Sequence, residues 1–539
     1  MNIFFQKFLG NNLFVLIGLA VLAIACYSSA IEGPFFFDDE QFIVKNEYVQ
    51  KLQVAKIYTS SVTQGAHLQS NFYRPNQQFV FGVLTQLFGQ NPKVFHVNSI
   101  LFHAFNAFLL FLLFHLLSLP RNLSFIGGAL FLIHPIQTEA VAYISGFADI
   151  LGLFFFLSGL LLYLHSMKQE PKTKWIYLSC CLLLYAAALF SKENLVVLLP
   201  LTLLVSAYRL LNKKNKPDKF IFTGWALIGV LTFSYMLLKF SVFNFSENAG
   251  LTGQTNVYTE HLYVRLYTFI NILPEYIRLF LFPIELYYAK PYTAYTNLNS
   301  FKAVEALLLI GLTLFSLYKF KKMPKLALGL GWFLASLAPY SGIVPLNAMY
   351  LEHWLYVPII GLLLLVLFGI QRLEKYKVRA LLLSAFLIVS ILFAKRIYSR
   401  NQEWSSPEKF YLNETKYSAS VSNYNNLGMI YADKKNYSRA LEFYQLSIKT
   451  YDAFPQPHFN SANIYIEMNN ADAALSELYL ALKIDPGFYP ALEKLQNLYF
   501  NLKQEQKAKA IGTVLDRLKQ GNQTPFNEIE KIMIAPNQK

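Results

Sequence analysis

The 539-residue chain is 55% hydrophobic, 16% aromatic and only 15% charged, with long apolar runs recurring through position 396. Those proportions exclude a soluble chain and describe a polytopic membrane protein. A formal charge of +15 would fit a nucleic-acid binder, but the Lys and Arg residues fall largely in short loops between apolar runs, where they orient spans. No nucleic-acid partner is expected. Cys26, Cys180 and Cys181 lie inside apolar runs without zinc or redox spacing and read as small packing groups.

In chain order, "LAIAC" ending at Cys26 resembles a lipoprotein cleavage site, but the run Leu13 to Tyr27 is long and further spans follow, so an uncleaved signal anchor is expected. Spans are placed near 13–31, 94–118, 123–142, 148–166, 175–191, 194–210 and 220–241. With a cytoplasmic N-terminus, "KQEPKTK" (168–174) and "RLLNKKNKPDK" (209–219) then fall inside, as the positive-inside rule asks. Pro274, Glu275, Arg278 and Pro283 break the apolar stretch 262–286. If that stretch crossed, "KFKKMPK" (319–325) and "QRLEKYKVR" (371–379) would be exported, so it is expected to lie at the surface or re-enter. Spans near 303–319, 326–343, 354–370 and 378–395 bring the count to about eleven and leave the C-terminal region outside.

Past "RIYSRNQEW" the composition turns mixed polar and a 34-residue period appears. Tyr431, Tyr465 and Tyr499 recur in register, as do Ala440, Ala474 and Ala508, with Leu427-Gly428, Ser461-Ala462 and Leu495-Gln496 at the tight-packing site of the first helix and Pro486 where a repeat ends. This is the tetratricopeptide pattern, in which small residues let paired helices approach. Such a solenoid is expected to bind an acceptor polypeptide or partner; a structural cap or dimer module is the alternative. The fold class is therefore all-α: a polytopic membrane bundle over 1–400, with outer segments 32–93 and 242–302, a repeat domain over 401–520 and a tail over 521–539.

Charge near a bilayer is costly and by default marks function. On this topology the outward ends carry Asp38 and Asp39, Arg74 in "NFYRPNQQ", His96, then His134, Gln137, Glu139 and Asp149 in "HPIQTEAVAYISGFAD". Lys192 and Glu193 follow in "SKEN", Glu275 and Arg278 in "PEYIR", and Asn347, Glu352, His353 and Tyr356 in "NAMYLEHWLYVP". Taken singly, most have a structural explanation: Lys192 snorkels, His96 or His134 bonds a neighbouring helix, Glu352-His353 pair internally. The aspartate pair differs, because a polar stretch long enough to fold over a site follows it. Acids beside Arg and Lys at a membrane surface suit transfer of a sugar from a lipid phosphate: a carboxylate takes the proton of an incoming hydroxyl, and cations such as Arg74, Lys192 and Arg278 stabilise the departing phosphate.

In this order, "FFFDDEQFIVKN", "NFYRP", "HPIQTEAVAYISGFADIL", "SKEN", "EHWLYVP" and the repeats resemble the transmembrane-and-tetratricopeptide (TMTC) family and its bacterial relatives, from about Phe35 to Leu518. The resemblance implies a fold like that of GT-C glycosyltransferases and transfer of a hexose, mannose-like, from a polyprenyl-phosphate sugar lipid to protein Ser or Thr. It implies that Asp38 or Asp39 is the base, Asp39 being preferred, and that Arg74 lies near donor phosphate. His134, Glu139 and Asp149 match its "HPxxTEAVAxxxGRAD" block, and Lys192-Glu193 its "KE" motif. Phe147 stands where the animal pattern has Arg, Gln137 where it has His, and His353 where it has Arg. An inverting transfer with no cofactor is expected; a divalent metal is possible at paired acids but not predicted. Alternatives are a lipid or envelope-glycan acceptor, a transporter, or a membrane-anchored scaffold. The expected location is a bacterial inner membrane, with the repeats periplasmic.

Overall fold

The computed structural model describes all residues except 1–8, 69, 215, 243–256, 289, 291–292, 345, 347, 374–378, 522–524 and 536–539; Asn347 and the "NFS" site at Asn244 lie outside the described residues. Every regular element among the described residues is helical, and the chain divides into two compact units, Met1–Ser406 and Pro407–Lys539.

The first unit is a bundle built on α1 (Asn12–Tyr27), α2 (Pro75–Phe88), α3 (Pro92–Leu116), α4 (Arg121–Ile133), α5 (Phe147–Ser166), α6 (Pro171–Leu189) and α7 (Leu198–Asn212). It continues through α8 (Lys219–Ser241), α9 (Leu262–Leu281), α10 (Phe301–Tyr318), α11 (Pro324–Leu337), α12 (Ile359–Leu373) and α13 (Arg379–Trp404). Local chemistry sets their starts. Asn11, Asn91, Asp218 and Ser300 cap first-turn amides, and Pro92, Pro171 and Pro324 occupy first-turn positions where a missing N–H costs nothing.

By length and composition, six of the described helices can cross a bilayer, within Asn12–Ala30, Pro92–Leu116, Ile144–Ser166, Glu193–Asn212, Lys219–Ser241 and Phe301–Tyr318. Arg121–Ile133 and Pro135–Ala142 add a seventh if that pair, bent by 49°, is one span. The expected count of about eleven exceeds this by the segments of α6, α11, α12 and α13, which are not among the described helices that qualify; α11 stops after 14 residues, giving way to a 3-10 turn at Ala338–Tyr340, and α12 runs for 15. The stretch after 262 forms a full helix, α9, with Pro274 inside it, and is not among the helices that qualify as spans.

Helix ends sort by charge. Ser118 Oγ accepts from Asn212, Ser118 O from Gln371 Nε2, and Gln371 Oε1 from Lys325 Nζ. The loop before α11 and the end of α12 therefore share one end of the bundle with the lysine-rich end of α7, as the charge argument over 262–286 requires. At the other end lies the polar stretch between α1 and α3. Asn46 braces it, donating to Val62 O at 2.8 Å and accepting from the amides of Tyr48 and Val49, while Gln77 of α2 donates to Ser145 O at 2.8 Å.

Small residues permit the tightest crossings, as in membrane helices generally. A Cβ at Gly361 of α12 would meet the backbone of Phe333 at 2.7 Å and one at Gly128 of α4 the carbonyl of Ala107 at 2.7 Å, so neither neighbour can swing aside.

The second unit stacks α14 (Pro407–Tyr417), α15 (Val421–Asp433), α16 (Tyr437–Thr450), α17 (Pro455–Glu467), α18 (Ala471–Ile484), α19 (Tyr489–Asn501), α20 (Glu505–Lys519) and α21 (Phe526–Ile534). The repeat is visible in the backbone: Lys435, Asn469 and Lys503, at equivalent turns, all adopt left-handed φ values of 57°, 56° and 58°. Asn436 and Asn470 then cap the second helix of their repeats. A Cβ on Gly428 would run into the buried Tyr444 ring, and Tyr431 stacks on Phe443 at 5.4 Å. The boundary expected near 400 falls inside α13, and the segment expected as a tail contains α21, whose Ile529 is buried against the last repeat.

Gly361→Ala is expected to destabilise the bundle by about 1–3 kcal/mol, the usual cost of overpacking, read as a lower thermal midpoint of the detergent-purified chain.

Candidate functional site

The polar end of the first unit gathers charged side chains from well-separated segments. Phe37, just before the aspartate pair, has φ 59°, a left-handed conformation that is unusual for a bulky residue. Its ring packs on Tyr288 at 5.1 Å and Tyr143 at 6.1 Å. After this turn the two acids take different environments.

Asp39 is 1% exposed. One carboxylate oxygen accepts from the amide of Ser145 at 2.9 Å and from its hydroxyl, and the other from the amide of Phe36 at 3.3 Å. It thereby ties the first loop to the turn before α5. Burial pushes its carboxyl up to about 7, against the opposing pull of the Ser145 and Phe36 hydrogen bonds. Asp38 is partly exposed, beside the Tyr143 phenol and within reach of the charges of Arg74 and His353. Burial raises its carboxyl too, while Tyr143, Arg74 and His353 draw it back.

Arg74, at the start of α2, pairs through Nε with Glu193 Oε2 at 3.1 Å, and the Tyr73 amide donates to the other oxygen of Glu193 at 2.7 Å. Lys192 Nζ lies 2.8 Å from Asp149 Oδ2 in the first turn of α5, both side chains almost wholly buried. Glu139 holds His353 by two bonds, to Nδ1 at 2.6 Å and to the backbone amide at 3.2 Å. Its neighbour Glu352 accepts from Lys290 Nζ at 3.1 Å and from the Tyr287 amide, with Arg400 Nη2 at 3.5 Å. Tyr356 OH sits deeper, 2.8 Å from His103 Nδ1 and 3.1 Å from Asn106 Nδ2.

Asp38, Arg74, Glu193, Asp149, Lys192, Glu139 and His353 thus form one linked charged group. Three other expected site residues are engaged differently. His96 Nε2 is 3.2 Å from Gly33 O. His134 Nε2 is 3.0 Å from Phe280 O, its Nδ1 accepts from the Ile136 amide, and its ring stacks on Phe280. Both brace backbone. Arg278 lies on α9, bound to Glu275 at 2.7 Å and Glu285 at 3.3 Å. It borders a separate cleft of about 540 Å³ shared with Lys302, Phe301 and Phe282.

Sequence reasoning passed over Tyr143, Ser145, Lys290, Arg400, His103 and Asn106. The His103–Asn106 pair, three residues apart in an apolar run, carried a usable signal, since polar groups at membrane depth are rare. The departures from the family pattern also have a structure. Phe147 is fully buried between Phe81 and Phe102, and Gln137 is buried with neither amide atom bonded to a described residue. Among the described residues, no three His, Cys, Asp or Glu side chains group as a metal site.

A helical membrane bundle with a charged site at one end, joined to a tetratricopeptide unit, defines the class. Residues 421–453 and 455–488 match the tetratricopeptide repeat family. Along most of its length the chain is related to the TMTC family. It is 24% identical over 532 residues to the Homo sapiens protein O-mannosyl-transferase TMTC3, covering 89% of this chain and 56% of that protein. Human TMTC4, also named a protein O-mannosyl-transferase, is 27% identical over 487 residues, covering 78% and 64%. Human TMTC1, of the same name, is 30% identical over 211 residues, or 37% and 24%. The chain spans little more than half the length of TMTC3.

Removing one member of a buried pair leaves the other charge stranded. Lys192→Met should cost about 3–5 kcal/mol, and adding Asp149→Leu should restore part of it; thermal unfolding of the single and double variants checks this.

Proposed function

We propose that this protein is an inverting membrane glycosyltransferase that moves a hexose, mannose-like, from a polyprenyl-phosphate donor to a Ser or Thr hydroxyl of a polypeptide. The related proteins named protein O-mannosyl-transferases support the reaction class. The observation that carries the reading is the partly exposed carboxylate of Asp38, set between Arg74 and His353 and anchored through its buried neighbour Asp39. Asp38, rather than Asp39, is the better base, because Asp39 spends both oxygens on Ser145 and Phe36 and is out of reach of solvent.

In this mechanism Asp38 takes the proton of the acceptor hydroxyl as its oxygen attacks the anomeric carbon. The bond from that carbon to the phosphate oxygen breaks, and the phosphate leaves with the electron pair. Arg74 and Lys192 stabilise the developing anion by partial exchange away from Glu193 and Asp149, in a rim where low polarity strengthens such contacts. One displacement with one base inverts the anomeric configuration. Glu139, His353, Glu352 and Tyr356 shape the sugar and acceptor side, Lys290 and Arg400 supply positive charge near Glu352, and His96 and His134 hold the surrounding backbone. Arg278, with its cleft, belongs to the lipid-facing approach of the donor.

The basic loops at the end opposite the site support a cytoplasmic assignment for that end, hence a site and repeats on the outer face of a bacterial inner membrane. The repeats would present the acceptor polypeptide.

Asp38→Asn should lower transfer from polyprenyl-phosphate mannose to peptide by about 10²–10⁴-fold, the range for losing a general base, with the thermal midpoint retained; unchanged transfer removes Asp38 from the mechanism. Wild-type kcat/KM should fall on the acid side above the ordinary carboxylate range of about 4, because burial raises both carboxyls and the base must be ionised. Stability runs the other way for Asp39: its folded carboxyl binds the proton more tightly than the unfolded one, so its contribution is full at low pH and lost as pH rises through about 7.

A further inference from the structure

At the end of the bundle opposite the proposed reaction site, three cations meet and, among the described residues, none has an ion-pair partner. Arg209, in the last turn of α7, is 4% exposed, and its Nη1 is buried with no hydrogen-bond partner among the described residues. A guanidinium left unsatisfied in this way is uncommon, because each buried donor without an acceptor forfeits its hydration. Lys213, one turn on, and Lys168, past the end of α5, are exposed and adjoin. Lys168 beside it holds the Lys213 ammonium below the usual lysine range, with burial and the charge of Arg209 adding to the effect.

The nearby acids do not answer these charges. Asp218 pairs with Lys174 at 3.6 Å, and among the described residues no ion pair reaches Arg209, Lys168 or Lys213, Glu170 included. Two ammonium groups and a buried guanidinium repel one another as they stand. An anion with several oxygens among them would reverse the sign of every term, and phosphate offers the geometry that Arg recognises with two prongs and Lys as a point charge.

Position narrows the source. The helices that end here, α5 and α7, belong to segments long and apolar enough to span, so the cluster sits at the level of lipid headgroups. We propose that Arg209, Lys213 and Lys168 form a binding site for the phosphate of an anionic phospholipid headgroup, on the membrane face opposite the charged site around Asp38. The site clamps the ends of α5 and α7 together from the lipid side, and it stands whatever reaction the other end performs.

The full-length protein in nanodiscs of phosphatidylcholine, with or without phosphatidylglycerol, tests this. Phosphatidylglycerol should raise the thermal midpoint of the wild type and be retained through delipidation. Arg209→Gln should lose that shift and retain about tenfold less of the lipid, the effect of one charge-assisted bond, while its midpoint in phosphatidylcholine alone stays at or above the wild-type value. Should Arg209→Gln fail to fold, the surface pair Lys168→Gln/Lys213→Gln carries the same readout. Lys321→Gln/Lys322→Gln, in another basic loop, should leave the shift intact. An equal shift in the Arg209 or Lys168/Lys213 variants overturns the proposal, as does an equal loss in the Lys321/Lys322 control, which means bulk charge attraction. Reproduction of the shift by inorganic phosphate in phosphatidylcholine nanodiscs assigns the site to a free anion and overturns the lipid.

Discussion

Charge at the end of a lipid-embedded helix bundle has to be answered by charge, because an ion stripped of water costs several kcal/mol unless a partner reaches it. Around Asp38 this chain meets that demand with partners drawn from distant positions. Lys192 reaches back 43 residues to Asp149, Arg74 forward 119 to Glu193, and His353 back 214 to Glu139. Each pair sits where a helix breaks rather than in mid-span, so pairing also fixes where those helices end against one another. The break at His134–Pro135 is held by its own histidine: His134 Nδ1 accepts from the Ile136 amide freed there, while Nε2 lies against the Phe280 carbonyl of α9.

That demand decides how far the site could be read from sequence. Glu139, Asp149, Lys192, Glu193 and Glu352 stood out because an ionisable residue in an apolar context is rare, and rarity needs no partner to be noticed. Their partners were harder. Arg400 looks like one more cation at the end of an apolar run, and Lys290 lies in an aromatic stretch with no apparent pattern; only the packing of α13 against the end of the bundle brings Arg400 to Glu352. His96 and His134 carried the same signal as the acids yet serve backbone carbonyls, contacts that need no counter-ion.

The helices follow a parallel division. Long apolar runs gave α3, α5 and α8 directly, whereas α11 is cut short by a turn whose signals, Pro339 and the Ser341-Gly342 pair, also occur inside spans. In the second unit the 34-residue register was plain from tyrosine, alanine and the small-residue site, because solenoid packing repeats the same demand at the same place. The left-handed turn was not, for of Lys435, Asn469 and Lys503 only the asparagine is of a type enriched at positive φ. The turn exists because two helices of one repeat must reverse within a few residues, a requirement that tertiary packing imposes on whatever residue is there.

Asp38 and Asp39 put both lessons in one place. Adjacent and chemically identical, they are separated by environment alone, much as paired carboxyls elsewhere acquire different roles from their surroundings. Asp39 turns inward to three donors from Phe36 and Ser145 and becomes part of the scaffold. The left-handed backbone at Phe37 is strained, and such strain persists only where the surroundings over-determine it. Here the aromatic contacts of Phe37 with Tyr143 and Tyr288 and the anchored carboxylate of Asp39 both oppose its relaxation. Holding that turn leaves Asp38 partly open between a guanidinium and an imidazole, neither of which it bonds directly. In the proposed reaction this is the useful state for a base: raised by burial, drawn back by the Tyr143 phenol and the charge of Arg74, and less buried than Asp39.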